Sequence, residues 1–181
     1  MIIGITGKPE SGKTTLANFM VEQNKRYRRA SFAKPLKDLM NCIRLPIDTH
    51  EEKNMTTDIV ANSDHVLSGC DMRNGLLTRR GVAQFLGTEL IRKRLDPDMF
   101  VSLALNTTHT DLIFDDVRFE NEARTIKALG GMLIRIERNV KGSGHASEQL
   151  NYNVDEIYCN HYGLDELEKF AKQLMYKIMV D

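Results

Sequence analysis

The chain has 181 residues, of which 41% are hydrophobic and 28% charged, a composition that suits one domain with a hydrophobic core. Lys plus Arg and Asp plus Glu each total 25, so the chain has no basic excess. A partner such as a nucleic-acid polymer or an anionic membrane is therefore not expected. No apolar run approaches the roughly 20 residues of a membrane span, and no signal-peptide pattern is present. The three scattered cysteines predict neither disulfides nor zinc, so we expect a cytoplasmic protein.

Short apolar runs alternate with segments of helical periodicity along the chain. The runs predict strands at 1–6, 29–33, 112–117, 132–136 and 155–159. The periodic segments predict helices at 14–23, 35–43, 78–94, 100–105, 123–129 and 164–174. Residues 48–74 are polar, and we interpret them as an irregular or mobile insert with a helical turn or two. This alternation predicts an α/β fold: a five-stranded parallel sheet, helices on both faces and right-handed crossovers.

The segment between the first strand and the first helix matches the phosphate-binding loop G-x-x-x-x-G-K-[ST]. In such a loop the backbone N–H groups point at phosphate oxygens, and the helix offers its positive N-terminal end. Lys13 is expected to reach the β- and γ-phosphates of ATP, and the Thr14 hydroxyl to ligate Mg²⁺. The expected ATP-binding residues of this segment are Gly7, Glu10, Ser11, Gly12, Lys13, Thr14 and Thr15.

The third predicted strand ends in two acids, Asp115 and Asp116, and Arg118 follows them. Ligands of open α/β sheets bind at the carboxyl ends of strands, where an acid can hold Mg²⁺ through water. Because neighbouring side chains of a strand alternate in direction, we expect only one of the two acids to face the nucleotide. Arginine binds phosphate bidentately, so Arg118 is a candidate for the acceptor phosphate.

Several segments together resemble the deoxynucleoside monophosphate kinases of tailed bacteriophages, which are P-loop kinases. Those segments are GITGKPESGKTTLA at 4–17, SFAKPLK at 31–37, TRRGVAQFLGTELIR at 78–92, DVRFENEARTIKALGG at 116–131, IRIER at 134–138 and HASEQ at 145–149. The resemblance covers most of the chain except the polar insert. It implies a three-layer P-loop kinase domain over 1–181, with a core at about 1–33 and 111–181. An acceptor-binding arm is implied at about 34–110 and a short lid at about 138–149.

The resemblance also implies roles for individual residues. The acceptor is implied to contact Lys34, Arg79, Gln84, Thr88, Glu89, Arg92, Arg118, Asn121 and Glu122. Arg135 and Arg138 are implied as lid-side contacts of the ATP phosphates, with Arg138 also catalytic. Asp116 matches the metal position of the family better than Asp115, although a smaller residue is expected before it. His145, Ser147 and Glu148 match an H-x-S-E signature whose role stays open.

The sequence therefore predicts transfer of the γ-phosphoryl group of ATP, held with Mg²⁺, to a deoxynucleoside monophosphate. Lys13 and Arg138 would spread the charge of the transferred group, and Arg118 would hold the acceptor in line. Two alternatives stay open: another small-molecule P-loop kinase, such as a dephospho-CoA, shikimate or gluconate kinase, and a P-loop ATPase or switch module. The sequence does not determine which base is accepted or which oligomeric state the protein adopts, and a homodimer is one of the states left open. A phage-encoded enzyme would work in the host cytoplasm.

Overall fold

The computed structural model describes residues 1–60, 69–138, 152–161 and 163–180. The chain divides into two compact units. The core unit consists of Met1–Phe32 and Asn106–Asp181, and the inserted unit of Ala33–Leu105. Since the inserted unit lies between two parts of the core unit in sequence, the chain leaves the core after Phe32 and returns to it at Asn106.

The described residues of the two units form strands, α-helices and a π-helix. In chain order these are β1 Ile2–Thr6, α1 Lys13–Gln23, β2 Arg28–Ala30, α2 Lys34–Cys42, α3 His50–Asn54, β3 Thr56–Val60, β4 Met72–Arg73, β5 Leu76–Thr78, α4 Arg79–Gln84, the π-helix Phe85–Leu95, α5 Met99–Leu105, β6 Leu112–Val117, α6 Glu120–Ala128, β7 Met132–Glu137, β8 Glu156–Cys159 and α7 Leu164–Val180. Within the described ranges, no helix is both long enough and apolar enough to cross a membrane.

The core unit is built on a five-stranded sheet in the order β2-β6-β1-β7-β8. Every neighbouring pair in it is parallel, as the sequence predicted. β1 lies in the middle, between β6 and β7. The strands on one side of β1 are β6 and β2, and those on the other side are β7 and β8, so the strand order reverses at β1. Ligands of open α/β sheets bind at the carboxyl ends of the strands near such a point of reversal. The loop after β1 and the residues after β6 therefore occupy the expected place for a site.

Helices cover both faces of this sheet, which confirms the predicted layers. On one face, Ile3 and Ile5 of β1 are fully buried in a cluster with residues of α1 and α7, including Leu16 and Leu174. On the other face, any side chain at Gly4 would meet Ile126 of α6. Because successive strand residues alternate between the two faces, the three helices pack on opposite sides of β1.

The inserted unit has its own hydrophobic core and a three-stranded antiparallel sheet in the order β3-β5-β4. Its buried residues are Met40, Ile47, Cys70, Leu77, Val82 and Ala83. The region interpreted as an irregular insert contains the short helix α3, which agrees with the expected helical turn. It also contains β3 and β4, which differ from the expectation. α3 begins at a capping box in which Thr49 and Glu52 bond to each other's backbone N–H groups. The predicted helix 78–94 is α4 followed directly by the π-helix.

Candidate active site

At two positions of the loop between β1 and α1, the backbone has a conformation that only glycine adopts easily. Gly7 has φ of +146° and Gly12 has φ of +107°, both outside the range that most side chains allow. A side chain at Gly7 would collide with the carbonyl oxygen of Ile136. Gly12 then caps α1, which begins at Lys13. The loop therefore places the N-terminal end of α1, with its positive dipole, at the carboxyl edge of the sheet.

Two polar side chains of this loop fit a phosphate ligand. The Lys13 ammonium lies over the loop and donates to the carbonyl oxygens of Gly7 at 2.8 Å and Lys8 at 2.6 Å. Ser11 is fully buried, and its Oγ has no hydrogen-bond partner among the described residues. A buried hydroxyl without a partner is costly, so the loop offers a polar group that a phosphate oxygen would satisfy. Of the other predicted loop residues, Thr15 is half-buried and Glu10 is exposed.

The acid beside Thr14 is Asp115, and not Asp116 as expected. Thr14 Oγ1 donates to Asp115 Oδ2 at 2.7 Å, and Arg29 donates to the same oxygen at 2.8 Å. Asp115 is only 7% exposed, so the Arg29 guanidinium supplies the positive charge that a buried carboxylate needs. Asp116 instead accepts from Ser31 Oγ at 2.6 Å and from the backbone N–H of Phe32 at 3.0 Å.

Arg118 lies immediately after β6, and its side chain is exposed at the carboxyl edge of the sheet. Glu122 is nearly fully buried and accepts from the backbone N–H groups of Arg118 at 2.8 Å and Phe119 at 3.1 Å. It thereby satisfies donors at the start of α6. Glu122 fixes the turn that presents Arg118, and Asn121 follows in the first turn of α6.

Tyr152 connects the ends of three strands of the core sheet. Its hydroxyl donates to Val117 O at 3.2 Å and lies 2.7 Å from Thr6 Oγ1, while Arg135 donates to its carbonyl oxygen at 2.8 Å. Burial raises the pKa of Tyr152, and the neighbouring Thr6 hydroxyl opposes that shift only in part. The hydroxyl therefore stays protonated at neutral pH. Arg135, predicted as a phosphate contact, is engaged with Tyr152 at this point.

A pocket of about 260 Å³ opens beside the loop and is lined by Arg138, Asn160, His161, Gly163 and Leu164. Arg138 donates to Glu10 O at 3.4 Å, and Asn160 Nδ2 donates to Ser11 O at 2.8 Å, so both residues contact the phosphate-binding loop. Asn160 and His161 were not among the residues predicted for the site. They directly follow β8, and the rule that ligands bind at the carboxyl ends of parallel strands could have found them.

The residues predicted for the acceptor arm lie in the inserted unit, and most make contacts within it. Arg79 donates to Pro46 O at 3.3 Å, and Gln84 accepts from the backbone N–H of Asp71 at 2.8 Å. Lys34 forms an ion pair with Asp38, and Glu89 forms one with Lys93. The guanidinium of Arg92 lies over the ring of Phe100. Thr88 is half-buried on the π-helix.

The predicted lid falls almost entirely outside the described residues. Of its range, 138–149, only Arg138 is described. His145, Ser147 and Glu148 also lie outside the described part of the chain.

Comparison with known proteins identifies the family. The parallel sheet and the loop ahead of α1 define an α/β fold of the P-loop kinase type. A protein of Acanthamoeba polyphaga mimivirus, named "Putative deoxynucleotide monophosphate kinase", is 33% identical over 153 residues, which cover 76% of this chain and 74% of that protein. The chain belongs to the deoxynucleotide monophosphate kinase family. No protein-family model matches it.

Family membership makes the chain a kinase, which implies the use of ATP. The relative comes from a virus of an amoeba, so the expected link to bacteriophages stays a prediction.

Proposed function

We propose that the protein transfers the γ-phosphoryl group of ATP to a deoxynucleoside monophosphate, giving a deoxynucleoside diphosphate and ADP. The observation that carries the proposal is the arrangement of Gly7–Thr14, with Lys13 over the loop and Thr14 bonded to Asp115. An oxygen of the acceptor phosphate attacks the γ-phosphorus, and the bond from that phosphorus to the β–γ bridging oxygen breaks. A phosphate oxygen is already a nucleophile, so no strong base is needed.

The core unit supplies groups for both parts of the donor. Ser11, Lys13 and the backbone N–H groups at the start of α1 are suited to the phosphates. The pocket next to the loop, between Arg138 and Leu164, is suited to the base, because a planar guanidinium can stack on an aromatic ring. Arg138 thus has two possible uses, base stacking and the predicted phosphate contact.

Mg²⁺ fits the donor set at the end of β6. The Thr14 hydroxyl and the Asp115 carboxylate would hold the ion, which in such enzymes neutralises charge on the β- and γ-phosphates. Oxygen ligands of this kind are the ones that Mg²⁺ prefers. Asp116 was the predicted ligand, but its partners Ser31 and Phe32 favour a role in holding the chain where it leaves the core unit.

The acceptor assignments combine geometry with resemblance. Arg118 is exposed beside the site and offers a planar, permanently charged group for the acceptor phosphate. Lys34, Arg79, Gln84, Thr88, Glu89, Arg92 and Asn121 remain proposed acceptor contacts through the resemblance. Glu122 is better supported as the residue that fixes the Arg118 turn.

A coupled ADP-release assay with a panel of deoxy- and ribonucleoside monophosphates tests the proposal. We expect ADP release to require an added deoxynucleoside monophosphate. We also expect the Lys13→Ala substitution to abolish nearly all of this release. Lys8→Ala is the matched control, because Lys8 is an exposed lysine of the same loop. ADP release that needs no acceptor would indicate an ATPase, and release that needs only another acceptor class would indicate a different P-loop kinase.

A further inference from the structure

Asn160 is fixed at both its backbone and its side chain. It directly follows β8 and is only 8% exposed. Its backbone N–H donates to Glu137 O at 2.7 Å, which continues the pairing of β8 with β7. Its side-chain Nδ2 donates to Ser11 O at 2.8 Å, and that hydrogen bond is buried. Because the sheet holds the backbone, the amide group has a fixed place behind the phosphate-binding loop.

The Asn160 amide also packs directly on Gly12. A side-chain carbon at Gly12 would lie 2.6 Å from Asn160 Nδ2, closer than such atoms can approach. Gly12 has φ of +107°, so both its backbone conformation and its contact with Asn160 require glycine. Asn160 therefore contacts both residues that share the Ser11–Gly12 peptide group.

That peptide group has a useful geometry. In a planar trans peptide, the carbonyl oxygen and the following N–H point in opposite directions. The Ser11 carbonyl points at Asn160, so the Gly12 N–H points away from Asn160. A hydrogen bond at the carbonyl thus sets the direction of the N–H as well. Rotation of this peptide would cost the buried carbonyl its partner, which is unfavourable.

We propose that Asn160 is a positioning residue for the donor phosphates: it holds the Ser11 carbonyl so that the Gly12 N–H donates to a phosphate oxygen of ATP. This inference rests on the proposed function, since it needs ATP in the loop. It adds a residue from the far end of the chain to the donor site. Preorganised N–H donors are effective because they do not have to reorient when the anion binds.

The test compares Asn160→Ala with Asn106→Ala, an exposed asparagine outside the site. Titration calorimetry measures the dissociation constants of ATP and of a deoxynucleoside monophosphate separately. We expect Asn160→Ala to weaken ATP binding about ten- to a hundredfold, the effect of losing one well-aligned hydrogen bond to a charged group, with acceptor binding unchanged. Asn106→Ala should leave both constants unchanged.

A second readout follows the Gly12 amide itself. In ¹⁵N-labelled wild-type protein, ATP should shift the Gly12 amide proton strongly downfield, and in Asn160→Ala that shift should be largely lost. A merely structural asparagine would lower the melting temperature without this selective change. If Asn160→Ala does not fold, Asn160→Leu carries the test, because it keeps the approximate shape of the side chain and removes the donor without adding a charge beside the phosphates.

The outcomes separate the two proposals. If wild-type protein binds no ATP, the proposed function fails, and the inference with it. If wild-type protein binds ATP but the folded Asn160 variant binds it equally well and keeps the Gly12 shift, only the inference is overturned.

Discussion

At the end of β6, two neighbouring carboxylates have different partners. Asp115 contacts Thr14 and Arg29, and Asp116 contacts Ser31 and the backbone of Phe32. Sequence alternation predicts that the two differ but not which one faces the phosphate-binding loop. The pairing of β1 with β6 shifts register here, since Gly4 pairs with Phe114 and Thr6 with Val117. An extra residue in one strand of a pair re-aims nearby side chains, and no pattern in the sequence signals it.

Different partners predict different effects of removing each charge. Asp115→Asn should raise the Mg²⁺ concentration for half-maximal activity about tenfold or more, because an amide is a poor ligand for a hard cation. Asp116→Asn should lower the melting temperature by weakening the contacts to Ser31 and Phe32, with little change in Mg²⁺ requirement. Mg²⁺ titration of activity and thermal melting measure the two effects. A larger Mg²⁺ effect for Asp116→Asn would return the metal role to Asp116.

Arg118 provides a second test at the scale of a residue. Arg118→Lys keeps the charge but loses the planar fork, so the KM for the monophosphate should rise roughly tenfold while the KM for ATP changes little. Arg124→Lys on α6 is the control, as Arg124 is also exposed. Steady-state kinetics with each substrate varied in turn give both constants. Equal increases in both KM values, or none, would remove Arg118 from the acceptor site.

At the scale of elements, the buried strands were predicted best. The three central strands, β1, β6 and β7, come from short apolar runs, and parallel strands buried on both faces need such runs. The edge strands β2 and β8 are more exposed, and β2 is only Arg-Arg-Ala. The strands of the inserted unit were missed because β3 begins with Thr-Thr-Asp and β4 has only two residues. Cross-strand pairing with β5 stabilises them, and that pairing is not visible in the pattern of a single segment.

The junction of β7 and β8 predicts a pH dependence of stability. Asp155 accepts from Lys127 Nζ at 2.7 Å and from the backbone N–H of Leu133 at 2.8 Å. Partial burial alone would raise the pKa of Asp155, but these hydrogen bonds and the charge of Lys127 bring its pKa below the usual value. The carboxylate is therefore stabilising above its unfolded pKa of about 4, and that contribution is lost as the pH falls through the folded pKa.

Asp155→Asn should accordingly lower the melting temperature at pH 7. The melting temperature of this variant should also fall less than that of the wild type between about pH 5 and pH 3, the range around an ordinary carboxyl pKa of about 4. Asp58→Asn, at an exposed position of β3, should keep the wild-type pH profile. Thermal melting across this range measures both. A wild-type profile for Asp155→Asn would mean that this carboxylate adds nothing to stability.

At the scale of the whole molecule, the phosphate-binding loop and the resemblance pointed to a nucleotide kinase, and the mimivirus relative supports that class over most of the chain. The loop between β1 and α1 could be located from the sequence, because one contiguous motif encodes it, and its role as the donor site stays a prediction. Asn160 could have been found from its place directly after a predicted strand, but its contact with Ser11 could not. Tyr152 was missed because it contacts Thr6, which is distant in sequence. The sequence around a residue gives no sign of such contacts, and only folding brings the partners together.

The most direct test of the central claim follows the transferred group. Purified protein is incubated with Mg²⁺, ATP labelled in its γ-phosphate and one deoxynucleoside monophosphate at a time, and the products are separated by chromatography. We expect label to appear in the deoxynucleoside diphosphate in amounts equal to the ADP formed, and we expect Lys13→Ala to prevent this transfer. Label released as inorganic phosphate, or none transferred to any deoxynucleoside monophosphate, would exclude the proposed reaction.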